Sequence, residues 1–135
     1  MLKSPVDKSN SVYEPIQRKQ FLIVEDDQIQ GLEMEQLLQD NGAALTIWVP
    51  NLSKAREILA KSSNFAAVIV DLKLKDESGE DLISELESSH IPAVIVTAYE
   101  HHNITKAAIV SKPFSPETFL GAVSLAASKR QSAKT

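Results

Sequence analysis

Short apolar runs that do not alternate with polar residues set the narrowest limit on how this chain folds. They are Phe21-Leu-Ile-Val24, Phe65 to Val70, Ala93-Val-Ile-Val96 and Ala107 to Val110. A strand with one wet face alternates apolar and polar side chains. An uninterrupted run reads instead as a strand covered on both faces, the habit of a parallel sheet. Leu45 to Val49, which carries the single Trp, supplies one further strand before the break at Pro50-Asn51.

Helical patterns fill the intervals. Ile29, Leu32, Met34, Leu37 and Leu38 recur near a 3.6 period and stop at Asn41-Gly42. Asn51 or Ser53 caps a second helix with Ala55, Ile58 and Leu59 on its apolar stripe. After a loop through Lys73, Lys75 and Gly79, a short helix turns Leu82, Ile83 and Leu86 inward and Glu80, Asp81, Glu85 and Glu87 outward. Ser115-Pro116-Glu117 opens a last helix, with Ser115 as N-cap and proline at the first helical position. Phe119, Leu120, Val123 and Leu125 lie along it. Strand and helix thus alternate, which predicts an α/β fold: a doubly wound parallel sheet of five strands with helices on both faces. Between the fourth and fifth strands, His101-His102-Asn103-Ile104-Thr105 has too few apolar residues for an amphipathic helix. The fourth helix is therefore expected to be short or missing.

At 135 residues, 43% hydrophobic and 24% charged, the chain reads as one domain with a single core. Residues 1–19 are polar and read as a flexible extension, in which Val12, Tyr13 and Ile16 are the residues able to dock. Residues 20–128 form the domain, and 129–135 a fraying tail. A net charge of -4 and a pI near 5.3 give no pointer to nucleic acid. The absence of cysteine excludes disulfides, thiolate metal sites and a cysteine nucleophile. No apolar run reaches membrane-spanning length, and the N-terminus lacks the apolar centre of a signal peptide. A cytoplasmic location is the expectation.

Polar groups stand where the strands end: Glu25 and Asp26 after the first, Asp71 after the third, Thr97 after the fourth, Lys112 after the fifth. In a doubly wound sheet these ends gather at one rim, where open α/β sheets bind their ligands. Clustered carboxylates repel unless a cation joins them. An oxygen-only set, with no Cys and no His at a strand end, suits Mg²⁺. The ammonium and the hydroxyl suit an anion such as a phosphoryl group beside that cation. Each group also has a plainer reading: Glu25 to Asp27 as acids at a helix N-terminus, Asp71 as a loop cap, Thr97 as a β-branched strand residue, Lys112 as a solvated lysine. Their joint order on strand ends favours one site. His101-His102 lacks the usual set of metal ligands and reads as a solvated loop.

Ile23-Val-Glu-Asp26, Val68-Ile-Val-Asp71, Val96-Thr-Ala98 and Ser111-Lys-Pro-Phe114 carry a resemblance to the receiver domain of two-component response regulators, over roughly residues 20–128. The resemblance implies a flavodoxin-like sheet of strand order 2-1-3-4-5. It implies that Asp71 accepts a phosphoryl group from a phosphohistidine on a sensor histidine kinase or histidine phosphotransfer protein. Asp26, Asp71 and the backbone carbonyl of Lys73 would ligate Mg²⁺, with Glu25 acting through water. Lys112 would pair with the phosphoryl oxygens, with a cis bond to Pro113, and Thr97 would turn its hydroxyl onto the phosphoryl group.

The pattern is not followed throughout. Only fifteen positions separate Thr97 from Lys112, fewer than most receivers have. Ile109 stands where most carry an aromatic switch residue, and Tyr99 is the candidate to replace it. Thr97-Ala-Tyr99 resembles the Thr-Gly-Tyr-like segment of a subgroup of stand-alone receivers with a reduced fourth helix. Lys73, two positions after Asp71, brings a further cation toward the phosphoryl site. The resulting expectation is a single-domain response regulator in a phosphorelay: a phosphoacceptor and not an enzyme, acting on a downstream protein target, with no direct nucleic-acid or membrane contact and with homodimerisation left open. A receiver-like protein-binding module that needs no phosphate is the alternative. A Mg²⁺-dependent phosphohydrolase ranks lower, because Lys73 stands where such enzymes commonly place a second aspartate.

Overall fold

Alternation of side chains along each strand divides the core into two layers, one on either face of a parallel sheet. The computed structural model describes residues 13–98 and 108–134, with side chains through Arg130. A 3-10 turn, Glu14–Ile16, leads into β1 (Gln20–Val24), α1 (Gln28–Asp40), β2 (Leu45–Val49), α2 (Leu52–Lys61) and β3 (Ala67–Asp71). Then come β4 (Lys73–Leu74), β5 (Glu77–Ser78), α3 (Glu80–Ser88), β6 (Ala93–Thr97), β7 (Ala108–Ser111) and α4 (Pro116–Lys134). The main sheet has the order β2-β1-β3-β6-β7 with every pair parallel. Apart from the small β4–β5 hairpin, this is the expected 2-1-3-4-5 sheet. Residues 99–107, where a short or missing fourth helix is expected, lie outside the described residues.

Phe21 and Ile23 of β1, Ile69 of β3, Val94 and Val96 of β6 and Val110 of β7 pack with Met34 and Leu38 of α1 and Phe119 and Val123 of α4. Leu22, Val24, Val68, Val70 and Ile95 point to the other face, against Leu52 and Ala55 of α2 and Leu82, Ile83 and Leu86 of α3. Both faces of the central strands are therefore covered, as their unbroken apolar runs require.

Three elements differ in detail from the sequence pattern. Met34 and Leu38 of α1 face inward as expected, but Ile29 and Leu32 are 75% and 50% exposed, and Gly31 takes the inward place in the first turns. Gly31 faces the Trp48 ring so closely that a Cβ there would collide with it, so the smallest residue marks the buried face. Second, the described part of residues 1–19 packs on the domain: Ile16 is fully buried, and Tyr13 joins the layer formed by α1 and α4. Third, α4 continues through Lys134, and Ala126 and Ala127 still face the core.

Candidate functional site

The register of β1, β3, β6 and β7 brings their carboxyl ends to one rim, with Asp71 beside Val96 and Thr97 beside Ser111. The three acids after β1 part company there. Asp27 is the N-cap of α1, its Oδ1 accepting the N–H groups of Ile29 at 2.9 Å and Gln30 at 3.3 Å. These bonds, those from Gln30 foremost, hold its carboxyl below the usual range. Asp26 is exposed, and its Oδ2 accepts the Lys75 N–H at 2.7 Å. Glu25 turns inward, 1% exposed. Its Oε2 accepts the Asp27 N–H at 3.2 Å, and its backbone carbonyl accepts the Trp48 indole N–H at 2.7 Å.

Asp71, also buried, accepts the Lys73 N–H on Oδ1 at 3.1 Å. Lys112 bridges the two buried acids, its Nζ 3.0 Å from Glu25 Oε1 and 3.1 Å from Asp71 Oδ2. The Lys112 backbone N–H donates to the carbonyl of Thr97 at 2.8 Å, so the fully buried threonine ends its strand at the same rim. The Lys112–Pro113 peptide is cis. Oxygens of Glu25, Asp26 and Asp71 all lie within 4.8 Å of one another.

Burial pushes the Glu25 carboxyl up to about 7; the Lys112 ammonium works against this shift, and the Asp71 carboxylate adds to it. For Lys112, burial disfavours the charge, but the bonds to Glu25 and Asp71 outweigh it and raise the ammonium above its usual range. Two buried acids thus share the half-buried Lys112 ammonium. The donor set, three carboxylates at close range with no sulfur or imidazole among them, fits a hard divalent cation such as Mg²⁺.

Residues 21–124 match the response regulator receiver domain family. The chain belongs to that family. The transcriptional regulatory protein PdtaR of Mycobacterium tuberculosis is 28% identical over 119 residues, covering 82% of this chain and 58% of the relative. The chain therefore spans little more than half the length of that curated relative. A response regulator receiver protein from Sinorhizobium medicae WSM419 superposes with a TM-score of 0.74 at 22% identity, covering 83% of this chain and 96% of that one. The signal receiver domain of an HD domain-containing protein from Pseudomonas fluorescens Pf-5 gives 0.75 at 19% identity, covering 86% and 99%. At these identities the solved structures speak for the fold.

This receiver thus brings Glu25, Asp26, Asp71, Lys112 and Thr97 to one rim and sets the Lys73 amide on Asp71. Ile109 sits apart, on β7 beside Ile95, and is 39% exposed. Tyr99 lies outside the described residues, as do His101 and His102. Supporting residues escaped the sequence reading. Trp48 holds the Glu25 carbonyl, Lys75 holds Asp26, and Gly79 leaves room for the chain after β3. A Cβ on Gly79 would lie 2.8 Å from the Asp71 carbonyl oxygen and 2.7 Å from Val70 Cγ1. A lone tryptophan on a strand and a lone glycine in a loop carry no signal that separates support of a site from ordinary packing. No helix among the described residues is long and apolar enough to cross a membrane.

Proposed function

We propose that this receiver is a phosphoacceptor of two-component signalling, taking a phosphoryl group on Asp71 from a phosphohistidine of a sensor histidine kinase or histidine phosphotransfer protein. The observation that carries the reading is Lys112, held between Asp71 and Glu25 with Asp26 alongside. An oxygen of Asp71 bonds to phosphorus as the P–N bond of the donor breaks, and the imidazole leaves with that electron pair. Lys112, already 3.1 Å from Asp71 Oδ2, stays beside the transferring oxygens and balances their charge. Glu25, Asp26, Asp71 and the Lys73 carbonyl would hold Mg²⁺, which when bound neutralises phosphoryl charge as a Lewis acid. The domain takes part in its own phosphorylation and turns over no separate substrate.

Thr97, buried and adjacent to Lys112, is placed to respond to a new dianion on Asp71 by its hydroxyl. Ile109, exposed on β7, belongs to the surface through which a downstream protein reads the change; Tyr99, the other residue expected there, lies outside the described residues. Intact mass after incubation with Mg²⁺ and a small phosphodonor, and separately with a phosphohistidine donor, tests the assignment. Wild type gains one phosphoryl group and Asp71→Asn gains none. Labelling retained on Asp71→Asn, or no labelling of wild type from either donor, overturns it.

A further inference from the structure

Two of the three clustered carboxylates are oriented by the smallest element of the fold. The β4–β5 hairpin gives its Lys73 N–H to Asp71 at 3.1 Å and the Lys75 N–H of its turn to Asp26 at 2.7 Å. Paired only as Lys73 with Ser78 and Leu74 with Glu77, it is too short to hold that geometry by its own ladder. It is anchored at three points. Leu74 is buried against the α2 and α3 layer. The Gly79 N–H closes the hairpin onto the Leu72 carbonyl at 2.8 Å. Glu77 reaches across to α2, its Oε2 accepting the Leu52 N–H at 2.9 Å.

That last contact joins needs on both sides. Leu52 is the first residue of α2, and its N–H is among those that no helical carbonyl can satisfy. The Asn51 side chain takes the Lys54 N–H at 2.9 Å, and Glu77 takes the Leu52 N–H. A carboxylate is also favoured at a helix N-terminus by the backbone dipoles. The hairpin is thus tethered to α2 through one side chain, and Asp26 and Asp71 take their orientation from the hairpin.

We propose that Glu77 is a positioning residue of the acidic site: bound to the first amide of α2, it fixes the β4–β5 hairpin and, through the Lys75 and Lys73 amides, the carboxylates of Asp26 and Asp71. Its consequence for Mg²⁺ rests on the function proposed above, whereas the coupling of Glu77 to the hairpin does not. Glu77→Ala and Glu77→Val remove the acceptor, and valine keeps a strand-compatible side chain in case the alanine variant does not fold. Glu77→Gln keeps an oxygen for the Leu52 N–H.

In the metal-free full chain, hydrogen exchange of the Lys75 amide, read by NMR, accelerates about tenfold in the alanine and valine variants and stays within about twofold of wild type in the glutamine variant. Mg²⁺ affinity, read by calorimetry, falls about tenfold in the first two and is kept in the third, the scale seen when partners of metal-binding carboxylates are removed. Unchanged Lys75 exchange overturns the proposal, because Glu77 then only caps α2. Faster exchange with unchanged Mg²⁺ affinity overturns its extension to the site. If wild type takes up no Mg²⁺, the proposed function fails, and Lys75 exchange still decides whether Glu77 holds the hairpin.

Discussion

At the scale of single residues, Glu25 and Lys112 put an opposed pair of needs into one buried place. Glu25 is 1% exposed, and its ionised form is stabilised inside by one ammonium shared with Asp71. Because burial raises its folded-state pKa from the ordinary 4.5 to about 7, the folded metal-free protein binds more protons than the unfolded chain between those values. The contribution of Glu25 to stability is therefore fully present below about 4.5 and is lost as pH rises through about 7. Asp27 and Glu85, both held below the usual carboxylate range, act with the opposite sign and in a lower window, losing their contribution as pH falls through their lowered values. Urea denaturation in a chelator at about pH 5 and about pH 8 separates the two windows. Wild type is expected to have the lower midpoint at the higher pH, and Glu25→Gln, which cannot ionise, to show a much smaller difference. Equal differences in the two proteins would mean that Glu25 is not the titrating group. The sequence shows three adjacent acids at 25–27 but not their division of labour. Which of them caps a helix, which faces water and which is buried depends on how the chain turns after β1.

The elements of the sheet were legible because their chemistry is uniform. Runs such as Val68-Ile-Val and Val94-Ile-Val have no polar face, so they fit only strands covered on both sides. Helix α1 was legible as a helix and, through Met34, Leu37 and Leu38, over the second half of its buried face. Its first turns were not, because a period counted on large apolar residues cannot see that Gly31 is inward while Ile29 and Leu32 face water. The β4–β5 hairpin was not legible at all: Lys73-Leu74 and Glu77-Ser78 are too short to carry a period, and their pairing depends on contacts with Asp26 and Leu52. The inward glycine gives a prediction at this scale. In Gly31→Ala, the helix preference of alanine contributes about 1 kcal/mol in favour. Against it stand overpacking of ~1–3 kcal/mol and about 1 kcal/mol for the Trp48–Glu25 hydrogen bond if the ring is displaced. The variant is expected to be destabilised by ~1–3 kcal/mol, with tryptophan emission shifted to the red as the ring moves toward water. Thermal denaturation followed by fluorescence checks both, and a variant more stable than wild type would show that Trp48 yields without loss.

For the whole molecule, the acidic site is a property of the folded chain and of nothing smaller. Lys112 and Glu25 are 87 positions apart, Lys112 and Asp71 41, and Lys75 and Asp26 49. Strand order brings the first two pairs together, since β1 and β3 are neighbours and β7 reaches the same rim across β6, and the β4–β5 hairpin after β3 brings the third. This convergence was readable from the order of strand-end residues, since a parallel sheet has only one edge at which its strands end. A cation held by Glu25, Asp26 and Asp71 must therefore bind the folded state far better than the unfolded one, and binding of that kind raises global stability by mass action. At ten times its dissociation constant, Mg²⁺ contributes about 1.4 kcal/mol. In a chain of this length that corresponds to a rise in Tm of roughly 3–5 °C. The rise continues with the logarithm of Mg²⁺ concentration, and a chelator reverses it. Sodium chloride at matched ionic strength does not reproduce it, because general screening lacks the three oxygens at close range. Asp26→Asn is the discriminating variant: Asp26 is exposed, so its replacement leaves the core intact while removing one charged ligand. Differential scanning calorimetry is expected to show the Mg²⁺-dependent rise in wild type and to lose most of it in Asp26→Asn. An equal rise in both would place the cation elsewhere, and no rise in either would mean that the three carboxylates do not take up Mg²⁺.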